Sequence, residues 1–287
     1  MNTQETLFTK NKIKGTVTHM CETVINKQWD KGAVAGIYRN CFNILTDCNY
    51  MLTVFKDVSC YSTRAMITDI RADMSALPIR NGSRVSNCDG VIYAGDLVLD
   101  TKGAELIRVK REPSPAAGDL KENIDYLRSI VVGYEKERPA IYDAYLQKKA
   151  KAGFDALKKN AQEGFEKLIG LGIGLTPSCD DIVAGMSAYF YLMGMGDNFN
   201  RELKKYLNSK GDAVTTMVSK NLLEDVANGY INPALYNLVY AVMHNKEDIA
   251  IFTPELISYG STSGTETCVG ILYAYELTHG KEQIEWL

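Results

Sequence analysis

Three glycines, two hydroxyls and two adjacent aspartates crowd into one short run, GLGIGLTPSCDD, from Gly170 to Asp181. Glycines alternating with aliphatic residues allow unusual φ angles and a close backbone approach to another group. Thr176 suits a helix N-cap and Pro177 the first helical position, where its missing N–H costs nothing. Asp180 and Asp181 then fall in the first turn, where the helix dipole favours negative charge. Such a loop can bind an anion through the amides of Gly172 and Gly174 and the helix start. It can also hold amide or ureido N–H groups on a carboxylate, or a hard cation such as Mg²⁺. One acid satisfies the dipole, but adjacent helical positions point about 100° apart, so Asp180 and Asp181 need separate partners.

A second run has the same grammar. Tyr259–Thr267 contains GSTSGTET, with Ser263, Gly264, Thr265 and Glu266 where another helix begins. Alone it reads as an ordinary Ser/Thr cap with an acid in the first turn. Two such loops in one helical region predict a shared polar pocket lined by Gly172, Gly174, Thr176, Ser178, Asp180, Asp181, Ser263, Gly264 and Thr265. Nucleotide readings fail here. The first run is GxGxG rather than GxGxxG, and no Lys-Ser/Thr pair follows the glycines. The three histidines, His19, His244 and His279, lie in ordinary surroundings, and no GxSxG or HExxH motif exists.

The elements that must position these loops divide near residue 112. Up to there the chain is rich in β-branched and aromatic runs cut by turns: Ala33–Ile44, Met51–Val58, Gly90–Ala94, Asp96–Leu99 and Ala104–Val109. Val91–Tyr93 and Leu97–Leu99, joined through Gly95-Asp96, predict a hairpin. An amphipathic helix is expected around His19–Gln28. After Glu112–Gly118, which carries two prolines and a glycine, apolar residues recur at three and four positions. Leu120, Ile124, Leu127 and Val131 begin the series. Further helices are expected at 139–169, 178–195, 199–209, 212–228, 233–244 and 265–279. The fold class is α+β: a β-rich barrel or sandwich-like domain over 1–112, a linker over 113–118, and a domain of six or seven helices over 119–287.

Composition narrows the function classes. The chain has 287 residues, 46% hydrophobic and 23% charged, with a net charge of −3. That balance excludes disorder and carries no basic footprint for nucleic acid. The longest apolar stretch free of charge, from Ile182 to Gly196, is too short to span a bilayer. The seven scattered cysteines include no CxxC and suit a reducing compartment. The N-terminal run is polar, without an apolar signal segment. Together these features predict a cytoplasmic protein.

GLGIGLTPSCDD resembles the GLGxGLTPSGDD signature of a family that includes the AllH-type subunit of oxamate carbamoyltransferase. GSTSGTET resembles that family's second glycine-serine loop. Tyr38–Ile44 is a weaker echo of its first strand region. The resemblance implies work with companion subunits in anaerobic allantoin breakdown, where oxalurate and phosphate give oxamate and carbamoyl phosphate. Cys179 stands where the signature has glycine, and its Cβ narrows the site. Carbamoyl transfer needs anion donors and a polarised carbonyl, together with acceptors that orient the N–H groups. Gly172, Gly174, Thr176 and Ser178 suit the first task. Asp180 or Asp181 suits the second, or serves as general base. The motif has no basic residue, so a cation from Arg39 or from a partner subunit is expected, with Arg39 and Asn43 both taken as substrate-binding residues. Other readings are an independent hydrolase or lyase on a small carboxylated amide, with Mg²⁺ on the aspartates, and a non-catalytic subunit that only holds a metabolite.

Overall fold

A computed structural model describes residues 12–58, 61–137, 141, 143–210, 213–258 and 260–280. The chain forms two compact units, divided between Val109 and Lys110. Tyr259 of the second loop and Cys60 lie outside the described residues, as do 139, 140 and 142 of the expected 139–169 helix and 212 of the expected 212–228 helix.

The first unit is a closed β-barrel. Its strands are β1 (Ile13–Cys21), β2 (Lys31–Ile37), β3 (Cys41–Thr46), β4 (Met51–Phe55), β5 (Ala65–Thr68), β6 (Arg84–Cys88), β7 (Val91–Ala94), β8 (Leu97–Asp100) and β9 (Glu105–Ile107). They follow the order β5-β4-β3-β2-β6-β7-β8-β1-β9, and pairing of β1 with β5 closes the ring. Closure leaves few free edges and lets inward side chains fill the interior. Alternation supplies those side chains. In β4, Leu52 and Val54 are buried while Met51, Thr53 and Phe55 are only half-buried. Phe42 and Ile44 of β3, Ile92 of β7, and Leu97 and Leu99 of β8 complete the core. The expected hairpin is present, with Val91 opposite Asp100 and Ala94 opposite Leu97.

The helix expected over His19–Gln28 is corrected. His19–Cys21 belong to β1, and only the single turn α1 (Glu22–Ile25) is helical. β1 pairs with β5 on one edge and with β8 and then β9 on the other. Those long-range pairings override a local pattern that also fits a helix.

The second unit is helical: α2 (Leu120–Glu137), α3 (Ala144–Leu157), α4 (Ala161–Leu168), α5 (Ser178–Leu192), α6 (Gly196–Lys210), α7 (Met217–Ala227), α8 (Pro233–His244), α9 (Lys246–Ile257) and α10 (Ser263–His279). The expected single helix over 139–169 is two. Asp143 caps α3, and Asn160 stops the run by accepting from the Glu163 amide to start α4. α9 has no counterpart among the expected helices, because Pro254 interrupts its pattern. Among the described residues this unit therefore has more helices than the six or seven expected. The segment 113–118 is also tied down. Ser114 N donates to Leu192 O, and the amides of Ala117 and Gly118 both donate to Met243 O.

α5 is buried on every side, with all its residues from Cys179 to Phe190 inaccessible, as a helix apolar all round must be. Its tightest neighbour is α10. A Cβ on Gly185 would meet Thr267 O at 2.1 Å, and one on Gly270 would meet Ile182 O at 2.0 Å. The two backbones therefore touch. Contacts advance together along both helices, from Thr176 with Ser263 to Gly270 with Ile182 and Met186. The helices run parallel, and their N-termini share one end of the unit.

Candidate functional site

The glycine run of α5 is folded back on the helix it introduces. Gly170, Gly172 and Gly174 have φ of +83°, +134° and +101°, in the region that L side chains avoid. A Cβ at Gly172 would come within 2.3 Å of Ser178 N, so the loop lies directly on the start of α5. Gly174 faces open space by contrast, and its neighbours Ile173 and Leu175 are exposed.

Thr176 does not cap the helix, contrary to expectation. The N-cap is Pro177, with no side-chain hydrogen bond to the helix start. The first-turn amides are satisfied by backbone instead. Cys179 N donates to Leu171 O at 3.0 Å, and Asp180 N to Pro177 O at 2.8 Å, with Asp181 N at 3.3 Å from the same carbonyl. These amides are spent on the loop itself, which moves the usable chemistry of the site to hydroxyls and carboxyls. Freed from capping, the Thr176 hydroxyl meets Ser263 Oγ at 3.1 Å. The two loops thus come together through their hydroxyls.

The two aspartates take different partners, as their angular separation requires. Asp180 is an anchor. Its Oδ1 accepts from Gly170 N at 2.7 Å, and its Oδ2 accepts from Thr215 Oγ1 at 2.5 Å and Ser219 Oγ at 2.6 Å. It fastens the glycine loop to the segment that opens α7. Burial raises its carboxyl above the ordinary value, and the three donors pull against that rise.

Asp181 points the other way, toward α10 and Glu266. The two are 2% and 1% exposed. Thr176 and Ser263 hydrogen-bond the Asp181 carboxyl, while Ser178 and Thr262 hydrogen-bond Glu266. The four hydroxyl residues are half-buried above the pair. Burial, and then the charge of Glu266, hold Asp181 well above the usual carboxylate range. Glu266 is raised as well, chiefly by burial. The two carboxyls interact across the α5–α10 contact, and Asp181 Oδ2 and Glu266 Oε1 are buried with no hydrogen-bond partner. Two like charges in so dry a site repel, which favours the neutral form of one of the carboxyls. Nearby, burial and the charges of Asp180 and Glu266 push the Cys179 thiol up, leaving it a neutral packing group.

The remaining expected residues are placed as follows. Gly264 packs α10 against α9, where a Cβ would meet Leu256 O at 2.0 Å. Thr265 is buried at 4% exposure. Arg39 and Asn43 belong to the barrel unit. Arg39 is exposed, with its Nε 3.9 Å from Asp73 Oδ2, and Asn43 Oδ1 accepts from Thr53 Oγ1 at 2.8 Å across β3 and β4. Glu266, which sequence reasoning set aside as an ordinary first-turn acid, is the functional candidate it missed. Its signal was available, since it occupies in GSTSGTET the place that Asp181 occupies after GLTPS.

Residues 168–275 match the family described as oxamate carbamoyltransferase subunit AllH. Over that segment the chain is similar to the AllH family. The family is named for one subunit of a carbamoyltransferase, so it belongs to a multi-subunit enzyme. The AllH segment spans both loops, from Leu168, two residues before the first glycine, into the helix that carries Glu266. No solved structure matches the chain. Among the described residues, no group of three or more His, Cys, Asp or Glu side chains is arranged to hold a metal ion. No helix among them is long and apolar enough to cross a membrane.

Proposed function

We propose that this chain is a cytoplasmic carbamoyltransferase subunit that acts with companion subunits. The reaction is oxalurate plus phosphate giving oxamate plus carbamoyl phosphate, in anaerobic use of allantoin nitrogen. The observation that carries the reading is the meeting of the two AllH-segment loops at Thr176 and Ser263, above a buried carboxyl pair. A ureido substrate presents N–H donors and carbonyl acceptors on one plane. Hydroxyls that both donate and accept, over two buried carboxyls, match that pattern. The parallel α5 and α10 also bring two positive dipole ends to the same side, which favours an anionic carboxylate or phosphate. The strong cation that phosphate sites usually recruit comes, in this reading, from a partner subunit.

The test is to purify the native chain with whatever accompanies it and to assay the complex for carbamoyl phosphate from oxalurate and phosphate, with and without Mg²⁺. Formation of carbamoyl phosphate and oxamate in equal amounts is the expected result. Binding of oxalurate without turnover by the full complex would replace this reading with that of a metabolite-holding subunit.

A further inference from the structure

The described site leaves one problem open: how a carboxyl pair with almost no exposure serves a substrate above it. Asp181 and Glu266 are buried between parallel helices whose backbones touch, so neither can swing out without separating α5 from α10. Ser263 bridges the gap. Its hydroxyl hydrogen-bonds the Asp181 carboxyl and lies 3.1 Å from Thr176 Oγ1, at the half-buried rim. Among the described residues, no Lys, Arg or His is a partner of either carboxyl. The groups facing the pair are instead the Cys179 thiol and four hydroxyls, with Asp180 turned away toward Thr215 and Ser219. Without a cation, the way to relieve two like charges in one dry site is to keep a proton between them.

We propose that Asp181 and Glu266 hold a single proton and pass it, through the Ser263 hydroxyl, to the nitrogen that leaves the carbamoyl carbon. This inference rests on the carbamoyl-transfer reading above. In the step, a phosphate oxygen forms a bond to the carbamoyl carbon, and the C–N bond breaks with its electron pair going to nitrogen. Ser263 gives its proton to that nitrogen and takes the one held on Asp181. The attacking phosphate hydroxyl loses its own proton, which restores the pair. Atoms and charge balance, and no oxidant, reductant or further reactant is needed. In the reverse direction the emptied pair accepts the oxamate proton by the same route. Asp181 and Glu266 are positioning residues that act through Ser263, the group that meets the substrate. A nitrogen that leaves without a proton is a poor leaving group, and proton transfer of this kind contributes about 10²–10⁴-fold to rate.

The experiment has two arms. The first is infrared spectroscopy of the full chain near neutral pH, seeking the deuterium-sensitive band of a protonated carboxyl. The expected result is one such band that disappears in Asp181→Asn or in Glu266→Gln. Its absence from the wild-type chain overturns the proposal and requires no variant to fold. The second arm is the pH profile of kcat for oxalurate phosphorolysis by the reconstituted complex. Asp181→Asn and Glu266→Gln should each lower kcat by about 10²-fold or more and flatten its pH dependence, with KM for phosphate nearly unchanged. Ser263→Ala should behave alike, and Ser263→Thr should recover most of the rate. An unaltered pH profile and kcat in the folded variants would overturn the relay while leaving the carbamoyl-transfer reading intact. A wild-type band in a complex that transfers no carbamoyl group would instead overturn that reading, and the proton's destination with it.

Discussion

Thr176 Oγ1 and Ser263 Oγ lie 3.1 Å apart across 87 residues of sequence, joining the start of α5 to the start of α10. The contact is a hydrogen bond between loops rather than a cap, so its energy should appear as coupling between the two positions. Thr176→Val and Ser263→Ala, measured singly and together by denaturant unfolding, should show an interaction energy of about 0.5–1.5 kcal/mol. Strict additivity would mean that the loops do not support each other.

Asp180 and Asp181 should separate cleanly in their effects. Asp180 accepts from Gly170, Thr215 and Ser219, so Asp180→Asn puts an amide donor against groups that were donating. The expected loss is about 1–3 kcal/mol of stability, or several degrees in Tm. Thermal unfolding checks it. A variant that melts like the wild type would show that the glycine loop is held by something else.

The glycines differ in what they would suffer. Gly172→Ala adds a Cβ 2.3 Å from Ser178 N at a φ of +134°, whereas Gly174→Ala meets nothing nearer than Thr176 O at 3.9 Å. Gly174→Ala should show only the backbone cost, about 1–3 kcal/mol. Gly172→Ala must also push the loop off α5, and its melting temperature should fall further. Equal melting temperatures for the two would contradict the packing of the loop on the helix.

The stability contributed by the buried carboxyls should fall as the solution becomes more alkaline. The folded carboxyls of Asp180, Asp181 and Glu266 are all raised, so at these three groups the folded chain binds more protons than the unfolded one above about pH 4. Their contribution is full below that range and is lost as pH rises through the raised values. Unfolding by urea across this interval should show a shallower decline for Asp181→Asn than for the wild type. A decline of the same slope would remove the pair from the pH dependence.

Much of this was legible in the sequence, and the failures have physical causes. The β7–β8 hairpin and the β4 run were visible because these strands alternate and are bounded by turn residues. β1, β5 and β6 were missed. β1 carries Gly15 and His19 within IKGTVTHMC and is a strand through its pairings rather than its pattern. β5 is buried at all of its positions and shows no alternation. The two loops stood out by composition, but their partners did not. A Thr-Pro pair before a helix satisfies the local rules for capping, and only the arrival of α10 beside α5 gives the Thr176 hydroxyl something else to bind. The same tertiary step turns Glu266 from a first-turn acid into half of a carboxyl pair. Sequence spacing fixed the divergence of Asp180 and Asp181 but could not say which would meet a second acid.

The most direct measurement of the central claim is the rate of carbamoyl phosphate formation from oxalurate and phosphate by complexes assembled with wild-type or Glu266→Gln chain, at equal amounts of folded protein. Gln keeps the size of the side chain and removes its charge and its claim on a shared proton. Turnover should fall by about 10²-fold or more, with the complex still assembled. Turnover equal to the wild type would contradict the account, because the Asp181–Glu266 pair would then be a structural feature of the α5–α10 contact and the chemistry would lie elsewhere.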